Sequence, residues 1–180
     1  SKSKKFNWLI PLTKPRCLSA KGNFLLADGV ITLKHREWIG LMEENGKDFL
    51  VSFSLDEIKQ VPKKIYSPRD FAAYLSISKS GKKLAWVEWQ FPHMPWEESQ
   101  LWIGSLTDNG SLEDIKCISS ALFDPSKKIS IFQPFWLESD QLLVVSDIDG
   151  WWNPKRIVFD FNSKGIYKVY DFISLEVEFA

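Results

Sequence analysis

The fold of this chain is indicated by one repeated stretch, ISKSGKKLAWVE at residues 77–88, which aligns without a gap on WLESDQLLVVSD at residues 136–147. Each copy has an apolar residue, a polar turn, a strand in which apolar residues alternate, and then an acid. A loop with tryptophan follows each copy, Met94-Pro95-Trp96 in the first and Gly150-Trp151-Trp152 in the second. A third strand, a turn and a fourth strand come after each loop. Four-stranded units that recur at a period of about 50–60 residues are typical of the blades of a β-propeller.

The rest of the chain is also predicted to form short strands separated by turns. Asp28-Gly29 lies between two apolar stretches, residues 24–27 and 30–33, which predicts a two-residue β-hairpin. Residues 35–44 are the main exception, because they are compatible with one helix that ends at Asn45-Gly46 or with an irregular pair of strands. The pattern predicts an all-β protein, and two unrelated hairpins in a β-sandwich remain the alternative to propeller blades.

The composition argues against several classes of protein. The 180 residues include 23 basic and 23 acidic side chains, so the net charge is zero and no nucleic-acid partner is expected. Apolar runs are only a few residues long, so no membrane span is expected. The apolar stretch at residues 6–12 is interrupted by Asn7 and Pro11, unlike a secretory signal. Cys17 and Cys117 form neither a metal knuckle nor a disulfide framework, and a cytoplasmic location is expected.

Four stretches carry a resemblance to a known family: LSISKSGKKLAWVEW at 75–89, HMPW at 93–96 followed by QLWI at 100–103, SIFQPFW at 130–136, and SDIDGWWN at 146–153. They resemble the N-terminal β-propeller of the prolyl oligopeptidase family of serine peptidases, in its dipeptidyl aminopeptidase and acylaminoacyl peptidase-like branch. The resemblance implies an all-β partial β-propeller of about three four-stranded antiparallel blades. Residues 67–124 and 125–180 would each form a blade, and residues 1–66 a degenerate first blade or an irregular β region.

The sequence departs from the family's pattern in two ways. The family's peptidase domain carries a Gly-x-Ser-x-Gly nucleophile elbow with a later Asp and His, but here there is no such elbow and no His after His93. The sequence ends at Ala180, about where a last blade would lead into that domain. Family propellers usually have seven or eight blades, and a ring needs at least four. We therefore expect a propeller piece or a shortened relative without catalytic residues, whose open blade edges are covered by a partner or by a second copy in a homo-oligomer.

Other kinds of active site have little support in the sequence. Glycine-rich nucleotide-binding loops are absent. His93 and Glu97 are four residues apart, but the prolines beside them prevent the regular helix on which this spacing would form a zinc site. Asp147 begins a stretch that resembles a calcium loop, but Val158 occupies the position of the required bidentate Glu. We therefore expect no cofactor and no bound metal.

One group of residues is a candidate recognition face. Strands of a blade run up and down, so the two tryptophan-bearing loops are expected on the same face of the protein. The residues predicted there are Trp89, His93, Met94, Trp96, Trp151, Trp152 and Asn153. They would form a recognition rim for a peptide or a docking surface for a C-terminal hydrolase domain. Alternatively, the large rings fill the space between neighbouring blades.

Three functions follow from these observations. The preferred one is the non-catalytic propeller portion of a prolyl oligopeptidase-like serine peptidase, which caps the active site, admits small peptides and excludes folded proteins. The second is a stand-alone protein-interaction module, a shortened propeller that oligomerisation completes. The third is a carbohydrate-binding module, supported only by flat indole rings of the kind that stack on sugars.

Overall fold

A computed structural model of the chain describes residues 15–119, 126–160 and 166–172. Within these residues, twelve β-strands form three sheets. The first sheet contains β1 (Leu25–Thr32), β2 (Glu37–Glu44), β3 (Lys47–Ser54) and β4 (Lys63–Tyr66). The second contains β5 (Phe71–Ile77), β6 (Lys83–Trp89), β7 (Gln100–Leu106) and β8 (Leu112–Cys117). The third contains β9 (Ile131–Glu138), β10 (Gln141–Ser146), β11 (Asn153–Asp160) and β12 (Ile166–Asp171).

The strands of each sheet follow chain order and are antiparallel to their neighbours. The first strands of the three sheets lie side by side, with β5 in contact with both β1 and β9. This is the arrangement of blades around a propeller axis. The prediction of an all-β partial propeller is therefore confirmed. Residues 1–14 and the blade boundary predicted at 124/125 lie outside the described residues. The described part of the chain contains no helix long and apolar enough to cross a membrane.

Two apolar cores hold the three sheets together. The core between the first and second sheets includes Ile39, Leu50 and Trp86, all 0% exposed. The core between the second and third sheets is equally closed, and its fully buried members include Ala85, Leu101, Ile131, Leu142, Val144 and Ile157. Trp86 and Ala85 are neighbours in β6 but belong to opposite cores, because successive side chains of a strand point to opposite faces. The second sheet is therefore buried on both faces.

The helix considered for residues 35–44 does not form. Residues Glu37–Glu44 are strand β2, which pairs with β1 on one side and with β3 on the other. Asn45 and Gly46, with φ of 55° and 74°, make a two-residue turn between β2 and β3. Such turns need positive φ at both positions, which Asn and Gly tolerate. Of the two alternatives left open by the sequence, the helix was therefore wrong and a strand formed. Periodicity did not separate them, because a strand that is apolar on both faces has no clear period of two.

The hairpin predicted at Asp28-Gly29 is also wrong. The two apolar stretches around it belong to one strand, β1, and Asp28 is a bulge in that strand with φ of 39°. The chain reverses direction later, at residues 33–36. The carboxylate of Asp28 accepts hydrogen bonds from the backbone N–H groups of Tyr74 (2.6 Å) and Leu75 (3.3 Å) in β5. The bulge therefore ties the first sheet to the second at their inner strands.

The same irregularity recurs in all three inner strands. Tyr74 in β5 and Gln133 in β9 have φ of 59° and 50°, and the pairing register shifts beside each of them. These two residues are separated by the 59 positions that separate the repeated stretches. The repeat thus preserves a β-bulge, a feature that bends a strand and increases its twist.

The gapless alignment of the two repeated stretches holds for the first strand of each copy but is wrong by one residue in the second. Leu84 and Trp86 of β6 face the preceding sheet, and the residues that do so in β10 are Leu142 and Val144. The turn before β10 is therefore one residue shorter than the turn before β6. A shift of one residue exchanges the two faces of a strand, so the gapless alignment assigns the side chains of β10 to the wrong faces.

A buried carboxylate links the first two sheets at the other end of β6. Glu88, 3% exposed, accepts a hydrogen bond from the indole Nε1 of Trp86 at 2.7 Å. It also forms a hydrogen bond with the hydroxyl of Tyr66 in β4, whose ring lies 5.2 Å from that of Trp86. Burial raises the pKa of Glu88, although these hydrogen bonds favour the ionised form. Burial and the neighbouring carboxylate also raise the pKa of Tyr66.

We expect Asp28→Gly to destabilise the chain by about 1 kcal/mol, because the amides of Tyr74 and Leu75 lose their acceptor. Glycine itself suits the positive φ at this position, so the loss reports on the carboxylate and not on backbone strain. Asp28→Asn is the matched control, since asparagine keeps an oxygen acceptor and tolerates positive φ, and it should lose less than half as much. Urea unfolding measures all three proteins. Equal stability of the wild type and the glycine variant would show that this link contributes nothing.

We expect Glu88→Gln to change how stability depends on pH. The folded-state pKa of Glu88 is raised above the unfolded value, so the contribution of Glu88 to stability is greatest below the unfolded pKa and falls as pH rises through the folded pKa. Glutamine keeps an acceptor for the Trp86 indole but carries no charge to desolvate. The variant should therefore gain stability relative to the wild type between pH 4 and pH 8, as measured by urea unfolding across that range. A constant difference between the two proteins at every pH would contradict this assignment.

Candidate functional site

The two tryptophan-bearing loops leave the sheets at the same end of the molecule. The first loop, residues 90–99, joins β6 to β7, and the second, residues 147–152, joins β10 to β11. Ser99 at the end of the first loop is bonded to Ile131 of β9, accepting from its N–H at 2.8 Å and donating to its carbonyl at 3.0 Å. Ile131 pairs in turn with Ser146, the residue before the second loop. We call this side of the molecule the loop end.

The first loop is held in shape by hydrogen bonds of its own. Met94 donates its backbone N–H to the carboxylate of Glu97 (2.8 Å), and Glu97 donates its N–H to the carbonyl of Met94 (2.9 Å). Phe91 donates its N–H to the carboxylate of Asp70 (3.1 Å), at the start of the second sheet. The apolar side chains at the tip therefore project from an ordered backbone. Phe91 is 81% exposed, Trp96 58% and Met94 45%.

The second loop is held by a buried lysine. The ammonium group of Lys155, 2% exposed, donates to the carboxylates of Asp149 in the loop and of Asp171 at the end of β12 (2.6 Å to Asp171). Burial opposes the charge of this lysine, but the hydrogen bonds and charges of the two carboxylates outweigh it and raise the pKa of Lys155. The ion pairs fix a loop in which Trp151 is 42% exposed. Trp152 is half-buried and stacks on Phe132 of β9, with ring centroids 5.0 Å apart.

The seven residues predicted for the recognition face differ in how they are placed. Met94, Trp96 and Trp151 are exposed at the loop end. Trp89, Trp152 and His93 are half-buried. Trp89 packs on the ring of Phe71 and Trp152 on that of Phe132, whereas His93 lies beside the carboxylate of Glu98. Asn153 is 1% exposed. The half-buried residues are therefore placed for packing, as in the alternative given by the sequence. The exposed residues are placed where a partner can contact them.

Phe91 is a member of the exposed group that the sequence did not indicate. It precedes Pro92 in a loop, where no periodicity separates a buried ring from an exposed one. We define the aromatic rim as Phe91, Met94, Trp96 and Trp151. Its side chains are large, apolar and carried by ordered loops, which is the character of a surface that binds an apolar partner.

A cavity of about 230 Å³ lies beneath the first loop. Its apolar walls include Trp89 and Phe91, and its polar lining includes Glu88, Glu98 and His93. The Nε2 of His93 is 3.6 Å from the carboxylate of Glu98 and 3.4 Å from the ammonium of Lys128. This set contains acids and a base but no nucleophile, since the hydroxyl of Ser99 is bonded to the backbone of Ile131. Among the described residues, no group of three or more His, Cys, Asp or Glu side chains could hold a metal ion.

Comparisons with known proteins show which solved structures this fold is similar to. No family model matches the chain, and no curated protein matches it either. Among solved structures, a puromycin hydrolase has a TM-score of 0.73 and 25% identity over 93% of this chain. The Mycobacterium tuberculosis puromycin-hydrolyzing peptidase has a TM-score of 0.72 and 22% identity over 91% of this chain. Prolyl oligopeptidase B from Galerina marginata has a TM-score of 0.61 and 12% identity over 86% of it.

The match covers only part of each of these proteins. The chain spans 26% of the puromycin hydrolase, 25% of the M. tuberculosis peptidase and 21% of the G. marginata enzyme. That part is a non-catalytic portion of serine peptidases. The chain therefore matches the propeller region of the prolyl oligopeptidase family of peptidases.

Proposed function

We propose that this chain is the non-catalytic propeller portion of a prolyl oligopeptidase-like serine peptidase, in which it holds peptide substrates and limits access to a hydrolase domain. The observation that carries the proposal is the match over 91–93% of the chain to one portion of two puromycin-hydrolysing proteins. Local identity of 22–25% accompanies the shared fold. The function of such a portion has to be supplied by surfaces, because it has no catalytic residues of its own.

The aromatic rim supports the proposal as the surface that meets a peptide. Its four side chains are 42–81% exposed although each is strongly apolar. Their loops are tied to the sheets by Ser99 and Lys155, so the rings are already positioned before a partner arrives. Preorganised aromatic side chains lose little conformational entropy on binding, which favours contact with extended peptides.

Substrate size is the second aspect of the proposal. The G. marginata enzyme, which has a similar fold, was solved with a 35mer hydrolysis and macrocyclization substrate. For this chain we propose that the rigid rim admits extended peptides and excludes folded proteins. An extended chain presents single side chains to the rim, whereas a folded protein presents a surface that the projecting loops obstruct.

Removal of the rim should weaken peptide binding without changing the chemical step. In the full-length product of the gene, we expect the double substitution Met94→Ala with Trp96→Ala to raise KM for peptide substrates about tenfold, which corresponds to about 1.4 kcal/mol of lost binding, with kcat changed less than about twofold. Leu33→Ala is the matched control. Leu33 is 83% exposed but lies in the β1–β2 turn at the opposite end of the sheets. The KM of the Leu33→Ala variant should therefore equal that of the wild type. An unchanged KM in a folded double variant would show that the aromatic rim takes no part in substrate recognition.

A second candidate function is a stand-alone interaction module completed by oligomerisation. It is favoured by the exposed rings of Phe135 (60%) and Tyr170 (42%) on the third sheet. The 180-residue chain distinguishes the two candidates when it is purified alone. The peptidase proposal expects no peptide hydrolysis and a 20.9 kDa monomer in sedimentation equilibrium, whereas the module expects a stable multiple of that mass. Peptide hydrolysis that persists in a homogeneous sample would contradict both.

A further inference from the structure

The cavity beneath the first loop combines aromatic walls with a carboxylate. Trp89 and Phe91 line it, together with Glu98. The ring of Trp89 is fixed by stacking on Phe71, with ring centroids 5.6 Å apart. The backbone of Phe91 is held by its N–H, which donates to the carboxylate of Asp70 at 3.1 Å. Aromatic rings attract a cation to their faces, and a carboxylate bonds to it directly. The lining therefore has the chemistry of a site for an organic cation.

The carboxylate of Glu98 is free to accept hydrogen bonds from such a ligand. Its nearest nitrogen partners are the Nε2 of His93 at 3.6 Å and the Nζ of Lys128 at 4.0 Å, and both distances exceed that of a hydrogen bond. No described residue donates a hydrogen bond to this carboxylate. The ammonium of Lys128 lies closer to the His93 ring, at 3.4 Å, and the Lys128 side chain is 66% exposed. Lys128 can therefore turn into solvent when a ligand cation arrives.

The charge around the cavity also favours a cation. Four carboxylates line it or bond to the backbone of its loop: Asp70, Glu88, Glu97 and Glu98. Lys128 lies near one of these carboxylates, and Arg69 interacts with another. An excess of one sign of charge around a cleft attracts ligands of the opposite sign. A negatively charged ligand is accordingly disfavoured here.

The apolar walls distinguish one organic cation from another. The cavity has a volume of about 230 Å³, and its aromatic walls require an apolar portion of the ligand between the opening and the carboxylate. The N-terminal ammonium of a peptide has no such portion, whereas lysine and arginine bury their methylene stems along apolar surfaces. Of these two, arginine fits better, because its planar guanidinium stacks on aromatic rings and binds a carboxylate with two parallel N–H groups.

We propose that this cavity binds the side chain of an arginine in a peptide, with the guanidinium against the rings of Trp89 and Phe91 and bonded to the carboxylate of Glu98. The proposal rests on the proposed function, since it names the class of peptide that the chain holds. Phe91 belongs to both the cavity and the aromatic rim. A peptide that lies on the rim therefore passes the opening of the cavity.

The test measures peptide binding to the 180-residue chain by isothermal titration calorimetry. The probes are two pentapeptides with blocked termini, one with arginine and the other with uncharged citrulline at the centre of four alanines. We expect the wild type to bind the arginine peptide about tenfold more tightly, because citrulline keeps the shape of the side chain but not its charge. Glu98→Gln should abolish this preference.

Glu97→Gln is the matched control for the loss of one charge. It removes a carboxylate from the adjacent residue of the same loop, and its amide oxygen can still accept the hydrogen bond from the backbone N–H of Met94. This variant should therefore keep most of the tenfold preference for the arginine peptide. Circular dichroism of each variant confirms that it folds before the affinities are compared.

Three results would overturn the proposal, and they can be told apart. Equal affinity of the wild type for the two peptides would show that the cavity does not recognise the guanidinium, while peptide binding itself would stand. A third pentapeptide, of alanine alone with a free N-terminus, would assign the cavity to a terminal ammonium if it bound as tightly as the arginine peptide and Glu98→Gln weakened it. No binding of any of the peptides would contradict the proposed function together with this inference.

Discussion

Burial of the second sheet on both faces is the constraint on which the rest of the structure depends. Trp86 packs toward the first sheet while its neighbour Ala85 packs toward the third, so a single strand contributes to both cores. A sheet that is apolar on both faces cannot be stable alone in water. The two flanking sheets are therefore required by the pattern of β6, and the side-by-side arrangement of the inner strands follows from covering both faces.

The positions of the loops are a consequence of that stacking. Ser99 belongs to the second sheet's loop but forms its hydrogen bonds with Ile131 of the third sheet, so the loop is fixed only when the two sheets are packed. Trp152 depends in the same way on Phe132. The half-buried rings pack on neighbouring rings, and the exposed residues of the same two loops are left for the recognition role proposed above.

Residues near the propeller axis meet a different requirement. Asp28, Tyr74 and Gln133 adopt positive φ in the inner strand of each sheet. A bulge leaves backbone amides that do not pair within the sheet, and Asp28 uses its carboxylate to bond with two of them in β5. The bulge that bends the inner strand thus also supplies a contact between sheets. The outer face of the third sheet has no comparable partner among the described residues, and the Nε of Arg156 on that face is buried without a hydrogen-bond acceptor.

Local sequence was sufficient for the fold class, the four-stranded units and the two tryptophan loops, because alternation, turn residues and a repeat depend only on neighbours in the chain. It also predicted Met94, Trp96 and Trp151 as candidates for an exposed face. Tertiary packing alone decided the remainder. Asp28-Gly29 is compatible with a hairpin turn, which needs positive φ at both residues, and with a bulge, in which only Asp28 has it; the pairing with β2 decides for the bulge. The exposure of Phe91 and the burial of Asn153 depend on which sheet lies nearby, a distance that no periodicity in the sequence encodes.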